Sequence, residues 1–228
     1  MKNTVIIVAG GRGKRMGNDI PKQFLLLNGM PVLMRTVERF YCFDSGIKII
    51  IALPADQIPT WENLCRQHRF DIAHHIVEGG HERFHSVKNA LTLVDANELV
   101  AVHDGVRPLV STETISRCFE KARQTGAAIP VLDMTESLRY FETPNSHRAV
   151  DRNRYKAVQT PQIFRSDILV SAYTQPYNPQ FTDDASVVEQ YGHPIATVEG
   201  NRENIKITTA FDMNIIRMLT DDKQMRQN

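Results

Sequence analysis

Short apolar runs alternate with amphipathic segments through the first half of the chain, and this alternation constrains the fold more than any other feature. The runs have strand length and are mostly apolar, which is typical of strands buried on both faces of a sheet. They span residues 4–8, 47–53, 71–77, 99–103 and 127–131. The segments between them predict helices at 32–41, 56–68, 87–93 and 111–125. This order predicts an α/β fold with a doubly wound, mostly parallel sheet, in which ligands bind at the carboxyl ends of the strands.

The alternation weakens after residue 131. Residues 133–155 carry charges and a turn-forming Thr-Pro-Asn-Ser cluster at 143–146. We interpret this stretch as an extended excursion from the sheet without a core of its own, so that residues 1–228 form a single domain. The remaining predicted strands lie at 195–198 and 205–208, and two short helices are predicted at 166–173 and 184–191. Thr182 or Asp183 would cap the second of these helices. A capping box at Thr209–Asp212 would begin a C-terminal helix.

Composition excludes several classes of protein. The chain of 228 residues has 27 Lys and Arg against 26 Asp and Glu, a net charge of +1, so a general nucleic-acid coat or a polybasic membrane binder is not expected. No apolar run approaches the roughly 20 residues that span a bilayer. The 3 cysteines are odd in number and widely spaced, which argues against a disulfide framework or a cysteine zinc site. We therefore expect a cytoplasmic protein.

The first predicted strand is followed by a loop rich in glycines and cations. Its glycines are Gly10, Gly11, Gly13 and Gly17, and its cations are Arg12, Lys14, Arg15 and Lys22. Glycines let backbone N–H groups approach a phosphate, and a following helix would favour its charge. The loop is neither a Walker A loop, since no Gly-Lys-Ser/Thr follows, nor a dinucleotide-binding fingerprint, since Met16 stands where the third glycine belongs. It is a candidate anion site, the alternative being a tight turn with a solvated basic rim.

A second candidate group follows the predicted strand at 99–103. Asp104 stands at the carboxyl end of this strand and is followed by Gly105 and Arg107. A carboxylate in this place can hold Mg²⁺ beside phosphates, or it can simply form a turn or cap a helix. Three cations recur on the side of the sheet where ligands bind, namely Lys22, Arg107 and Lys206. Each of them taken singly is a plausible surface cation.

Residues 81–85 match the H-E-x-x-H pattern of zinc proteases. That pattern needs both histidines on one face of an established helix and a third ligand further along. Here Gly79 and Gly80 come directly before it, so that His81 falls at or before the first helical turn. A zinc metalloprotease using His81 and His85 remains a remote alternative.

Motifs spread along the chain together resemble a known family. The phosphate-type loop at 9–16 is joined by Pro-Lys-Gln-Phe at 21–24, Gly-Gly-x-x-Arg-x-x-Ser-Val at 79–87, His-Asp-x-x-Arg-Pro at 103–108, Asp-Arg-Asn at 151–153, Thr-Pro-Gln at 160–162, Thr-Asp-Asp-Ala-Ser at 182–186 and Asn-Ile-Lys at 204–206. This set resembles the sugar-nucleotide pyrophosphorylase-like nucleotidyltransferases, and within them the 2-C-methyl-D-erythritol 4-phosphate cytidylyltransferases. The resemblance implies a Rossmann-like fold and transfer of CMP from CTP to methylerythritol 4-phosphate, with release of pyrophosphate, in non-mevalonate isoprenoid biosynthesis.

The resemblance also implies a role for individual residues. Arg15 and Lys22 would be catalytic and stabilise the reacting phosphorus centre. The nucleotide would be bound by Ala9, Gly10, Gly11, Gly13, Gly80, His81, Ser86, Asp104 and Gly105. The acceptor would be bound by Arg107, Ser137, Arg152, Thr160 and Lys206. Asp104 would hold Mg²⁺, and residues 133–155 would be an arm that clasps a second subunit in a homodimer, bringing Ser137 and Arg152 to the partner's active site.

Some positions depart from the family pattern and leave alternatives open. Thr135 competes with Ser137 for the place that faces the acceptor, because the pattern Asp-Thr appears here as Glu136-Ser137 after an apparent insertion. Glu203 stands where the family has aspartate, so its part in metal binding stays open. A ribitol-5-phosphate cytidylyltransferase is the nearest alternative enzyme, and a non-catalytic nucleotide-binding regulator is a further one.

Overall fold

The computed structural model describes residues 1–11 and 20–225. Its strands are β1 (Lys2–Val8), β2 (Leu26–Leu27), β3 (Met30–Pro31), β4 (Lys48–Leu53), β5 (His75–Glu78), β6 (Glu98–Asp104), β7 (Ala127–Asp133), β8 (Leu138–Thr143), β9 (Ser146–Val150), β10 (Lys156–Val158), β11 (Gln162–Arg165) and β12 (Ala196–Glu199). Its α-helices are α1 (Val32–Phe43), α2 (Ile58–His68), α3 (Arg83–Ala90), α4 (Thr112–Thr125), α5 (Ser166–Ala172), α6 (Asp184–Gln190) and α7 (Ala210–Met225).

The centre of the molecule is an eight-stranded, mostly parallel sheet. Strand β1 lies between β4 and β6, parallel to both, and β5 continues the parallel set beyond β4. On the other side β11 runs antiparallel between β6 and β7. Strands β10 and β12 pair with β7, antiparallel and parallel respectively. The doubly wound α/β fold predicted from the alternation is confirmed.

Each face of the sheet is covered by its own set of helices. One buried cluster contains Val5 and Ile7 of β1 together with apolar residues of α1, α2 and α4. The other contains Ile6 of the same strand together with residues of α3, α5 and α6. Successive side chains of a strand point to opposite faces, so a strand covered on both faces must be apolar at every position, as the middle of β1 is.

Several predicted elements differ from the structure at their ends or in kind. Strand β5 is shorter than the run at 71–77, and α3 begins at Arg83 rather than at residue 87. The predicted strand at 205–208 is wrong, since these residues form no strand. Ile207 is apolar because it is buried against residues of β2 and α7, outside the sheet. Asp183 rather than Thr182 caps α6, and the Thr209–Asp212 capping box opens α7.

The excursion predicted at 133–155 contains a hairpin that leaves the sheet. Strands β8 and β9 pair antiparallel with each other and form a separate two-stranded sheet. Nearly every residue of the hairpin is exposed, including the large apolar side chains of Tyr140 and Phe141. The chain then returns to the main sheet through β10.

No helix in the described parts of the chain is long and apolar enough to cross a membrane.

Candidate active site

A cavity of about 790 Å³ opens at the carboxyl ends of β1, β5 and β6. The ends of β1 and β6 are neighbours, because Val8 is paired with Asp104. The wall includes Ala9, Gly10 and Gly11 after β1, Gly80, His81, Arg83 and Ser86 around the start of α3, Asp104, and Lys22 and Lys206. The tertiary structure thus brings together most of the residues predicted to bind the nucleotide. Gly13 and Arg15 lie outside the described residues.

The loop after β1 is held in place by backbone and side-chain hydrogen bonds. The Ala9 N–H donates to Ala52 O at 3.0 Å, and Gln23 Nε2 donates to Ala9 O at 2.8 Å. Lys22 Nζ donates to Thr208 O at 2.7 Å, which ties the first loop to the segment before α7. Gln23 is buried and belongs to the cavity wall, a role that the sequence did not predict.

The segment between β5 and α3 folds tightly against the first turn of that helix. The Gly80 N–H donates to Ser86 Oγ at 3.0 Å, and that hydroxyl donates to Glu82 O at 3.2 Å. A Cβ on Gly80 would lie 2.2 Å from His85 Cβ, so only glycine fits there. His81 precedes α3 and His85 lies within it. They therefore do not form the helical pair of a zinc protease, and no three His, Cys, Asp or Glu of the described residues are grouped to hold a metal.

Asp104 lies at the centre of a group of charged side chains in the cavity. Its Oδ2 lies 2.9 Å from Arg107 Nε and 3.1 Å from Lys206 Nζ, and its Oδ1 lies 3.8 Å from Arg83 Nε. Burial by itself would raise the pKa of this carboxyl, but Lys206, Arg83 and Arg107 outweigh it and hold the pKa well below its usual range. Asp104 is therefore ionised at neutral pH.

Three of the predicted site residues stand next to the cavity and not in the described part of its wall, namely Gly105, Arg107 and Thr160. Arg107 Nη1 donates to Asn204 O at 2.8 Å, and the Gly105 N–H donates to Val8 O at 2.8 Å. A Cβ on Gly105 would lie 2.9 Å from Ala9 Cβ, so glycine lets the ends of β1 and β6 meet closely.

Thr160 links Asp104 to a buried histidine. The Asp104 N–H donates to Thr160 Oγ1 at 3.2 Å, and Thr160 Oγ1 lies 3.1 Å from His103 Nδ1. His103 Nε2 lies 3.1 Å from Arg107 O, and because a carbonyl only accepts, Nε2 carries the proton. Nδ1 of the neutral ring then accepts from the threonine hydroxyl. Burial lowers the pKa of His103 to about 4 and keeps the ring neutral.

This buried histidine predicts a pH dependence of stability. The unfolded chain takes up a proton on His103 near its usual pKa of 6.5, whereas the folded chain does so only near pH 4. The contribution of neutral His103 is therefore complete above pH 6.5 and is lost as the pH falls to about 4, by about 3 kcal/mol in all. Urea unfolding at several pH values should show this slope in the wild type and a shallower one in His103→Gln. Equal slopes would contradict the assignment. The depressed pKa of Asp104 stabilises the folded chain at higher pH, and this contribution is lost mainly below about pH 4, so Asp104 does not account for the slope.

The remaining predicted acceptor residues lie apart from the cavity. Ser137 precedes β8, and Arg152 lies after β9 and donates from Nη1 to Thr135 O. Neither is in the described part of the cavity wall. Glu203 accepts a hydrogen bond from Asn201 Nδ2 at 3.2 Å.

Arg83 is a cavity residue for which the sequence predicted no function. Its guanidinium forms a two-pronged pair with Asp184, at 2.8 and 2.6 Å. Both residues belong to motifs of the resemblance, at 79–87 and 182–186, and that shared membership was the available signal. Their contact could not be read from the chain, because they are 101 residues apart.

Comparison with known proteins identifies the family. The family model described as 2-C-methyl-D-erythritol 4-phosphate cytidylyltransferase matches residues 3–221. The chain belongs to this cytidylyltransferase family. A relative of that name from Bacteroides fragilis is 54% identical over 219 residues, covering 96% of this chain and 100% of the relative. A crystal structure of the enzyme from Thermus thermophilus has a TM-score of 0.79 at 31% identity, covering 97% of this chain and 100% of that one.

A second solved structure of this cytidylyltransferase, from Francisella tularensis, has a TM-score of 0.79 at 31% identity and covers 96% of this chain and 99% of its own. The resemblance read from the motifs is therefore confirmed, and the protein is an enzyme of the nucleotidyltransferase class. The ribitol-phosphate enzyme is not favoured, and the protease and regulator alternatives are set aside.

Proposed function

We propose that this protein transfers CMP from CTP to 2-C-methyl-D-erythritol 4-phosphate. A phosphate oxygen of the acceptor attacks the α-phosphorus of CTP, the bond from that phosphorus to the bridging oxygen breaks, and pyrophosphate leaves with the electron pair. The observation that carries the proposal is an ionised Asp104 among Arg107, Lys206 and Arg83, in a cavity bounded by a glycine-rich loop. Such a reaction depends on positioning and on cations where negative charge develops, and needs no side-chain nucleophile.

The nucleotide binds between the two loops of the cavity. Backbone N–H groups of the loop that begins at Ala9, Gly10 and Gly11 receive the phosphates, while Gly80, His81 and Ser86 receive the cytidine. Lys22, together with Arg15, places positive charge at the α-phosphorus and the leaving pyrophosphate. Lys22 is supported by its place in the cavity wall, and Arg15 by the family motif.

Asp104 suits a magnesium ion that is also held by nucleotide phosphates. Mg²⁺ takes oxygen ligands and is bound by one or two carboxylates together with phosphates and water. Asp104 is ionised, and its Oδ1 accepts no hydrogen bond from the described residues, Arg83 Nε being 3.8 Å away. When bound, the metal supplies charge neutralisation and orientation of the phosphates. The protein's part is to present Oδ1 from the end of β6, a strand that is paired with β1 as far as Asp104 and with β11 as far as Val102.

The acceptor phosphate binds on the Oδ2 side of Asp104. Lys206 and Arg107 contact that oxygen and supply donors for a phosphate. Thr160 orients this region through the Asp104 N–H and the neutral His103.

The whole chain works as one domain whose arm at 133–155 completes the active site of a second subunit. The arm has an exposed hairpin with large apolar side chains, and the predicted acceptor residues Ser137 and Arg152 flank this hairpin outside the cavity of their own chain. An arm of this kind gains burial by packing on a partner. Thr135 stays the competitor of Ser137. The enzyme works as a cytoplasmic homodimer.

Release of pyrophosphate tests the proposal directly. Purified protein with CTP and Mg²⁺ is given methylerythritol 4-phosphate, ribitol 5-phosphate or no acceptor. We expect release with methylerythritol phosphate alone. Faster release with ribitol phosphate, or silence with both acceptors from protein that binds CTP, would overturn the assignment of the acceptor.

A further inference from the structure

The guanidinium of Arg83 lies on the Oδ1 side of Asp104, whereas Lys206 and Arg107 contact Oδ2. It is held there by a buried clamp that consists of Asp184 and Tyr173. Both of the terminal nitrogens of Arg83 donate to Asp184, whose side chain is fully buried. Tyr173 Oη donates to Asp184 Oδ1 at 2.7 Å. Two-pronged arginine–carboxylate pairs are among the strongest and most directional hydrogen-bonded contacts, so this clamp restricts Arg83 to one position.

The clamp is itself anchored in the central sheet. Gln162 of β11 accepts from the Ala185 N–H at 2.8 Å and donates to Asp183 Oδ2 at 2.7 Å, which fixes the start of α6. Gln162 is paired with Val102 of β6, the strand that ends at Asp104. Asp184 is therefore anchored to β11 and Asp104 to the neighbouring strand β6, with Arg83 between them.

The cations around Asp104 differ in their freedom to move. Lys206 is 44% exposed and contacts Oδ2, together with Arg107. Arg83 faces Oδ1 with Nε at 3.8 Å, a distance at which its charge is felt but no hydrogen bond forms. Lys206 can turn toward an incoming phosphate, whereas Arg83 is held by Asp184 and cannot follow it without breaking both bonds.

We propose that Arg83 is a positioning residue for Asp104, and that Asp184 holds its guanidinium close enough to Oδ1 to steady the carboxylate but too far to occupy it. This inference rests on the proposed function of Asp104. When a phosphate draws Lys206 and Arg107 away from Oδ2, the charge of Arg83 remains and keeps Asp104 in place with Oδ1 open. Without the carboxylate of Asp184, Arg83 is free to close the gap and bind Oδ1 itself.

A double-mutant cycle with Asp104 separates this role from simple packing of α3 on α6. The turnover number and the affinity for CTP with Mg²⁺, the latter by calorimetry, are measured for Asp184→Asn, Asp104→Asn and the double variant. We expect Asp184→Asn to lower both quantities about tenfold, and to change neither by more than about twofold when Asp104 is already asparagine. Asp167→Asn, which breaks an exposed pair with Arg165 outside the cavity, is the matched control and should change neither.

If Asp184→Asn lowers turnover and CTP affinity by the same factor whether residue 104 is aspartate or asparagine, the Arg83–Asp184 pair only holds α3 against α6, and the proposal is overturned. No loss in either quantity would overturn it as well. Should Asp184→Asn fail to fold, Arg83→Lys keeps the charge without the two-pronged pair, and its loss should likewise depend on Asp104. An unchanged Asp104→Asn would refute the role of Asp104 and the inference with it. Pyrophosphate release by the wild type would then still support the proposed reaction, so the two failures are distinguishable.

Discussion

Replacing Asp104 by asparagine is expected to lower the turnover number by about 10²- to 10³-fold while CTP still binds. Asparagine has nearly the same shape but removes the negative charge from the contacts with Arg107, Lys206 and Arg83. The cations then repel one another, and the proposed magnesium ligand is lost. Pyrophosphate release at saturating substrates measures the loss, and calorimetry measures the binding of CTP.

Asp95→Asn is the control for this substitution. It also removes one carboxylate from a contact with a lysine, but Asp95 is exposed, pairs with Lys48 and is outside the cavity. We expect its turnover to stay near that of the wild type, because exposed ion pairs contribute little. Thermal unfolding followed by circular dichroism checks that both variants fold. A folded Asp104→Asn with wild-type turnover would contradict the assigned role.

If the enzyme is the proposed homodimer, mixed dimers of two inactive variants are expected to recover activity. Arg152→Ala and Lys206→Ala should each lower turnover about 100-fold or more as homodimers, because each removes a cation proposed to meet the acceptor phosphate. Lys206 lies in the cavity of its own chain, whereas Arg152 lies outside it. If Arg152 serves the partner's site, a heterodimer of the two variants contains one intact site.

Random exchange of equal amounts of the two variants should restore about a quarter of the wild-type activity, since half of the dimers are mixed and each has one working site of two. Lys206→Ala mixed with Asp104→Asn is the matched control, because both residues lie in the same cavity and no intact site can form. A mixture of Arg152→Ala and Lys206→Ala that stays as inactive as this control would show that Arg152 does not act across the dimer.

The innermost strands could be located along the chain because they are buried on two faces. Residues 4–8 and 99–103 are apolar at almost every position, and this pattern leaves little choice but the middle of a parallel sheet. The segment 205–208 shows where such reasoning fails. Ile207 is as buried as a strand residue, yet it packs beside α7 rather than in the sheet. Burial alone does not specify the backbone conformation.

The candidate site was partly predictable for a different reason. Glycines and cations after a predicted strand make a candidate anion site, so Gly10, Gly11 and Lys22 could be named in advance. Asp104 could be named because it stands at the carboxyl end of another predicted strand. Gly80 required the family motif, because its need for glycine comes from contact with His85, which only the folded turn before α3 creates. Gln23 had no sequence signal beyond its place in the Pro-Lys-Gln-Phe motif.

The sequence by itself determined the doubly wound sheet, the glycine-rich loop after its first strand and the family, since these depend on residue types at short spacing and on motifs along one chain. Only the tertiary structure decided the surroundings of Asp104. Lys206 and Arg83 reach it from distant segments, and Asp184, 101 residues from Arg83, sets where that arginine stays. Charge interactions depend on distances of a few ångströms, and those distances exist only once the sheet has brought its strand ends together.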